Sequence, residues 1–127
     1  MEIICKKEAP LSRSIEESKD QSLEQDSPVV LCRSCSGIVA FLEHRIQKGA
    51  SFSHTFANPH GHVFEIGCFS QAKGCAKASP ESDEFSWFKG YLWAVGICRH
   101  CQSQLGWIFS SGQDRFYGLI LDQLIFP

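Results

Sequence analysis

The chain contains no apolar run near the ~20 residues that a membrane span requires. Nor does its charge lean strongly to one sign. Twelve Lys and Arg stand against 14 Asp and Glu, a formal net charge of -2, and no Lys/Arg cluster forms a stripe that would follow a phosphate backbone. Nucleic acid is therefore not expected as a partner, although zinc knuckles often serve that purpose. The opening run Met1-Glu2-Ile3-Ile4-Cys5-Lys6-Lys7 leads into polar sequence with no extended apolar core, so it does not read as a signal peptide. No internal repeat and no convincing helix stand out. Tryptophan is scarce, with only three in 127 residues, and all three fall in the last third of the chain.

A chain of this length is expected to hold one domain. Its hydrophobic share of 43% supports a modest core, and so small a domain gains from a covalent or metal staple. Seven cysteines make an odd number. Four of them form two C-x-x-C pairs, Cys32-Arg33-Ser34-Cys35 and Cys98-Arg99-His100-Cys101. Without an export signal, that usage predicts metal ligation in a reducing, cytoplasmic setting and not a disulfide framework. Two thiolates on a tight turn, with backbone N–H groups aimed at the sulfurs, make one knuckle, and two knuckles complete a closed tetrahedral zinc site. With four thiolates no position is left open, so the site is read as structural, with one Zn2+ per chain. It closes a loop of about 60 residues, which restricts the unfolded chain strongly. Gly37 is expected to provide the tight exit from the first knuckle. Of the remaining cysteines, Cys68 reads as a small buried apolar residue and Cys75 as a loop thiol beside lysines, open to mild reactivity.

Residues 1–27 are acidic and polar, too poor in apolar side chains to bury much surface, and read as a disordered or weakly helical tail. Order is expected from Pro28 onward, over 28–127. Ile38 to Leu42 reads as a strand that can run on to Ile46, Ser51 to Phe56 alternates, and Asn58-Pro59-His60-Gly61 is a turn. Val63 to Phe69 is a further strand, Lys73 to Pro80 mainly loop. Trp93 to Ile97, Leu105 to Phe109 and Phe116 to Leu121 complete an antiparallel all-β domain. With side chains alternating at period two, Leu105, Trp107 and Phe109 should share one face, and Trp93, Val95 and Ile97 another. Trp93 and Trp107 can then face each other beside the second knuckle, and Trp87 returns over them if Lys89-Gly90 turns. Three clustered indoles can be ordinary core, or an aromatic box. Such a box holds either a methylated ammonium, by cation–π attraction, or a flat neutral ring whose polar edges meet backbone groups near Trp87. The residues alone leave these two open.

The motifs together resemble a known family. The two cysteine pairs, Asn58-Pro59-His60-Gly61, Phe85-Ser86-Trp87-Phe88-Lys89-Gly90-Tyr91-Leu92-Trp93, Gly106-Trp107-Ile108-Phe109 and Phe116-Tyr117-Gly118-Leu119 are similar to the CULT domain, the thalidomide-binding domain of the cereblon family, and most similar to its short single-domain bacterial versions. The resemblance covers residue 28 to the C-terminus. It implies a β-tent, two antiparallel sheets pinned at one end by zinc at Cys32, Cys35, Cys98 and Cys101. It also implies a ligand-binding set of Asn58, Pro59, Phe85, Ser86, Trp87, Trp93, Trp107 and Phe109. Trp87, Trp93 and Trp107 would wall the pocket, Phe109 close it, and Asn58 and Pro59 line its rim. A glutarimide N–H would donate to the Phe85 carbonyl, and the ring carbonyls would accept from the Trp87 backbone N–H and the Trp93 indole N–H. Vertebrate members carry histidine at the position of Phe85. Ligands implied are thalidomide-type drugs, uridine-like imides, and peptides ending in cyclised Asn or Gln. The Lon-like domain and ubiquitin-ligase adaptor segment of the larger members are absent from this sequence, so ligase-receptor function is not carried over. A monomeric, non-enzymatic binding module is expected. The alternatives are an enzyme like methionine sulfoxide reductase B, which the β-tent also resembles and which needs a low-pKa cysteine facing the pocket, and the methyl-ammonium cage.

One test belongs to the tail. Deleting residues 1–27 should leave the melting temperature and ligand affinity unchanged within error. A large loss of either would show that the tail packs on the domain.

Overall fold

A computed structural model describes residues 27–127; the expectation for the tail lies outside the described residues except at Ser27. Among the described residues nine strands form two antiparallel sheets, as the β-tent reading requires. β1 (Val29–Cys32), β2 (Ile38–Phe41) and the two-residue β9 (Leu124–Ile125) make a three-stranded sheet in the order β2-β1-β9. β3 (Ser53–Ala57), β4 (Val63–Phe69), β5 (Cys75–Lys77), β6 (Leu92–Cys98), β7 (Gln104–Ser111) and β8 (Asp114–Ile120) make a six-stranded one, ordered β3-β4-β8-β7-β6-β5. Among the described residues the only helical pieces are two 3-10 turns, Leu42–His44 and Leu121–Gln123.

The larger sheet uses both faces. Phe69, Cys75, Leu105, Ile108 and Leu119 pack with Val30, Val39, Ala40 and Leu124 of the smaller sheet to form the inter-sheet core. Ile66, Cys68, Phe109 and Phe116 form a second core, on which Trp87, Phe88, Trp93 and Trp107 rest. Period-two alternation along β4, β7 and β8 generates this division, so the tryptophans lie on the face turned away from the smaller sheet.

Several boundaries differ from the sequence reading. β2 ends at Phe41 and does not reach Ile46, because the chain turns into the 3-10 segment. Within the stretch read as loop, Cys75, Ala76 and Lys77 pair with Cys98, Ile97 and Gly96. Such a short strand takes its shape from the neighbour it pairs with, not from its own pattern. Leu105 also departs from its expected face. Gly96 pairs with Gly106 but Ile97 pairs with Gln104, so Leu105 is the extra residue of a bulge. The bulge resets the alternation and sends Leu105 into the inter-sheet core while Trp107 and Phe109 keep to the other side.

At Gly74 the sheets meet backbone to backbone. Its N–H donates to Val39 at 2.9 Å, and a Cβ there would lie 2.1 Å from the Ile38 carbonyl oxygen. Backbone cannot yield as a flexible side chain can. Gly74→Ala should therefore destabilise the domain by about 3 kcal/mol in chemical denaturation. Gly112→Ala, at a left-handed turn with open space around it, should lose only about 1 kcal/mol. Equal losses would show that the sheet contact is not specific.

Candidate functional site

The two knuckles have one geometry. Cys32 N–H donates to Gly37 and Ser36 N–H to Cys32; in the second, Cys98 N–H donates to Ser103 and Gln102 N–H to Cys98. The residue after each second cysteine takes a left-handed conformation, Ser36 at φ 66° and Gln102 at φ 70°. The tight exit thus falls on Ser36, one residue before the expected Gly37. Gly37 is required for a different reason: a Cβ there would lie 2.5 Å from the His100 ring. The first residue inside each pair braces the turn. The Arg33 side chain donates to the carbonyls of Asp122 and Leu124, and that of Arg99 to the carbonyl of Lys73.

These turns bring the ligand atoms of Cys32, Cys35, Cys98 and Cys101 within 4.8 Å of one another. None of the four is in a disulfide. Sulfur–sulfur separations are 3.7 Å for Cys32–Cys101 and 3.7 Å for Cys35–Cys98. Metal–sulfur bonds of about 2.3 Å in a tetrahedron give edges of about 3.8 Å, so the cluster fits a four-thiolate metal site. Backbone N–H groups of Gly37 and His100 point at the sulfurs of Cys35 and Cys98, at 3.3 and 3.4 Å. Hydrogen bonding from Ser103 pulls the Cys101 thiol down to about 6, whereas burial pushes Cys32 up. Four thiolates so close together repel one another, and a divalent cation relieves that repulsion. Cys32 closes β1 of the smaller sheet and Cys98 closes β6 of the larger, so the cluster ties the two together. His100 is not part of it.

Cys68 is fully buried, as expected. Cys75 is not a loop thiol: it is 4% exposed in β5, and burial, then the neighbouring Cys98, push it up to about 12. That corrects the loop placement and removes the basis for the mild reactivity it left open.

On the opposite face of the larger sheet is a cavity of about 560 Å³. Trp87, Trp93 and Trp107 all line it, as do Asn58, Pro59, Phe85 and Phe109. Trp93 and Trp107 stand diagonally, since Trp93 pairs with Phe109 and Trp107 with Val95. Trp87 meets Trp107 edge-on at 4.6 Å and stacks on Phe56 at 5.0 Å, while its indole N–H donates to the Ala57 carbonyl at 3.1 Å. Phe109 is 1% exposed and forms the floor instead of closing the mouth. Ser86 stands beside the cavity; its hydroxyl donates to the Phe88 carbonyl at 3.1 Å and holds the turn. The Asn58 side-chain oxygen accepts from the N–H groups of His60 and His62, both at 2.9 Å, and so shapes the rim loop that Pro59 occupies.

One expected donor is already committed. The Trp93 indole N–H donates to the Glu84 carbonyl at 2.8 Å and fastens the loop to the cage wall. Phe64, His60, Val95, Glu84 and Gln104 also line the cavity and were not among the predicted lining residues. Phe64 shares the alternation of β4 and meets Trp107 at 5.2 Å, and His60 lies within the quoted turn motif, so both carried a signal. Val95 shares the alternation of β6 with Trp93, Glu84 stands near enough in sequence to the box to add negative charge, and Gln104 carried no signal.

No protein-family model matches the chain. Among curated proteins, cereblon of Danio rerio is 36% identical over 75 residues, 55% of this chain and 17% of that protein. Cereblon of Gallus gallus is 32% identical over 75 residues, again 55% and 17%. Cereblon of Drosophila virilis is 29% identical over 108 residues, 79% of this chain and 17% of the relative. The chain thus spans about a sixth of the length of these relatives. With its two antiparallel sheets and four-cysteine cluster the described part is an all-β domain with a candidate metal site. The proteins it resembles are the cereblons, whose C-terminal domain is the CULT domain. Among the described residues no helix is long and apolar enough to cross a membrane.

If the cluster binds metal, Cys98→Ser should remove about one metal equivalent per chain and lower the melting temperature, since binding free energy is folding free energy. Wild-type protein that keeps its full melting temperature after exhaustive chelation, with metal loss verified, would refute this.

Proposed function

We propose that this chain is a binding module for cyclic imides, with glutarimides of the thalidomide type, uridine-like rings or a cyclised Asn or Gln at a peptide C-terminus as its ligand class, and with Zn2+ as the structural ion. The observation that carries the reading is the edge of the cavity beside Phe85. Among the described residues neither the Phe85 carbonyl nor the Trp87 backbone N–H has a hydrogen-bond partner within the protein. They offer one acceptor and one donor at the mouth of an apolar cage. An imide presents the complement on one side of its ring, an N–H beside a carbonyl. The ring N–H donates to the Phe85 carbonyl and the ring carbonyl accepts from the Trp87 N–H, while indole walls cover the apolar part. The second ring carbonyl lacks the Trp93 donor as long as Glu84 holds it. Two backbone groups therefore carry the polar recognition, and the identity of side chain 85 changes the rim only.

The reductase alternative gains no support from the cavity. Among the described residues no cysteine lines it, and burial pushes Cys68 to about 11, far from the thiolate that such chemistry needs. For the ion, the sulfur-only donor set and tetrahedral edge lengths suit zinc.

All three tryptophans line the cavity, so the whole indole emission should respond saturably to a glutarimide. Trp87→Ala, Trp93→Ala or Trp107→Ala should each weaken binding by ~1–3 kcal/mol through lost wall area. Methylating the imide nitrogen should be as damaging, because it leaves the Phe85 carbonyl unpaired in a dry site. Equal affinity for the N-methylated imide, or tighter binding of a trimethyl-ammonium ligand, would replace this reading with the cation cage.

A further inference from the structure

Away from the cavity, three segments that build its walls converge on a single carboxylate. Lys48 Nζ lies 2.8 Å from Asp114 Oδ2, and the Tyr91 hydroxyl donates to that same oxygen. The Lys48 ammonium also sits over the Phe116 ring, 4.6 Å from its centroid, and 5.4 Å from that of Tyr91. The Lys48 side chain is 24% exposed and that of Asp114 50%, so the ion pair is partly shielded. Each member leads to a different wall. Lys48 N–H donates to Ser51 at the entrance to β3, whose last residue, Ala57, accepts the Trp87 indole N–H. Tyr91 N–H closes a turn on the Phe88 carbonyl, next to Trp87. Asp114 opens β8 and pairs with Ser111 of β7, the strand that carries Trp107 and Phe109.

We propose that Lys48, Asp114 and Tyr91 form a positioning clamp that sets Trp87 against the other two walls of the cage. The clamp touches no lining residue through its charged atoms; it acts by fixing where the β3 entrance and the Trp87 turn stand relative to β7. Without it, Phe88 still packs on Phe109 and Phe116, at 4.9 and 5.0 Å, so the domain folds but the cage loosens. The effect on affinity rests on the imide reading above; the effect on the cage does not.

The test uses Asp114→Asn, Tyr91→Phe, Lys48→Met and the double variant Asp114→Asn/Tyr91→Phe, with Glu65→Gln as a charge-removing control. Acrylamide quenching and near-ultraviolet circular dichroism of the ligand-free protein report on the three tryptophans directly. Each clamp variant should raise the quenching constant and weaken glutarimide binding by about fivefold. The double variant should do no more than Asp114→Asn alone, because the Lys48 ammonium and the Tyr91 hydroxyl share that one carboxylate. The control should match wild type in both readouts. A lower melting temperature with unchanged quenching and dichroism would reduce the triad to a stabilising surface contact and overturn the proposal, as would additive effects in the double variant. If wild type fails to bind any imide while the quenching changes still appear, the clamp stands and the imide reading falls.

Discussion

Four sulfur atoms within 4.8 Å of one another impose the constraint on which the rest of this domain depends. One comes from the end of β1 in the smaller sheet and one from the end of β6 in the larger; the other two follow on their turns. Unligated, so many thiolates would not share that volume, and a domain of about 100 residues has a core of limited size to oppose the loss of chain entropy. The backbone contact at Gly74 and the apolar packing of Val30, Val39 and Leu124 on Leu105, Ile108 and Leu119 then complete a junction whose orientation the cluster already sets. Arg33 and Arg99 reinforce it from outside, each capping carbonyls of a neighbouring segment.

Because the junction uses one face of the six-stranded sheet, the other face is left to form the aromatic cavity. β6 links the two ends: Cys98 closes the strand at the cluster, and Trp93 stands five residues earlier, about 17 Å away along an extended chain. Metal site and cage therefore share a strand without sharing atoms. An ion held by the cysteine cluster on one side and an apolar cavity on the other would not interfere chemically. Yet loss of the first is expected to disturb the second through the register of β6 and β7.

The parts of this arrangement that were legible in the sequence were those with a metal-ligand spacing or an unusual residue. The cysteine pairs and the three tryptophans announced themselves, and the strands from Val63 to Phe69 and across the second knuckle followed from alternation. What stayed hidden depends on partners distant in sequence. β5 is a strand because β6 lies beside it, and β9 because β1 does. Leu105 changes sides because of a bulge that only the pairing of Gly96 with Gly106 reveals. The left-handed residues of the knuckles are a serine, which stands beside the more permissive Gly37, and a glutamine with no glycine next to it, so neither is marked by its residue type. The Lys48–Asp114–Tyr91 meeting spans three segments, and no local pattern points to it.

Phe85 shows how the cage edge is made. A bulky residue at φ 57° is in a region that L side chains seldom adopt, and with 72% of its surface exposed its ring gains little from burial. The surrounding loop holds it there. Ser82 and Trp93 exchange backbone hydrogen bonds at 2.9 and 2.8 Å, the Ser82 hydroxyl accepts from the Glu84 N–H at 3.1 Å, and the Trp93 indole fastens the Glu84 carbonyl. With Glu84 fixed on one side and Trp87 anchored to Ala57 on the other, the chain has to reverse within two residues. A left-handed Phe85 accomplishes that reversal. Strain at such a position persists only where neighbouring contacts over-determine it. The indole of Trp93 thus does two things at once. Its face walls the cavity, and its N–H fixes the loop whose backbone presents the polar edge, so its removal would cost the cage both shape and hydrogen-bonding pattern.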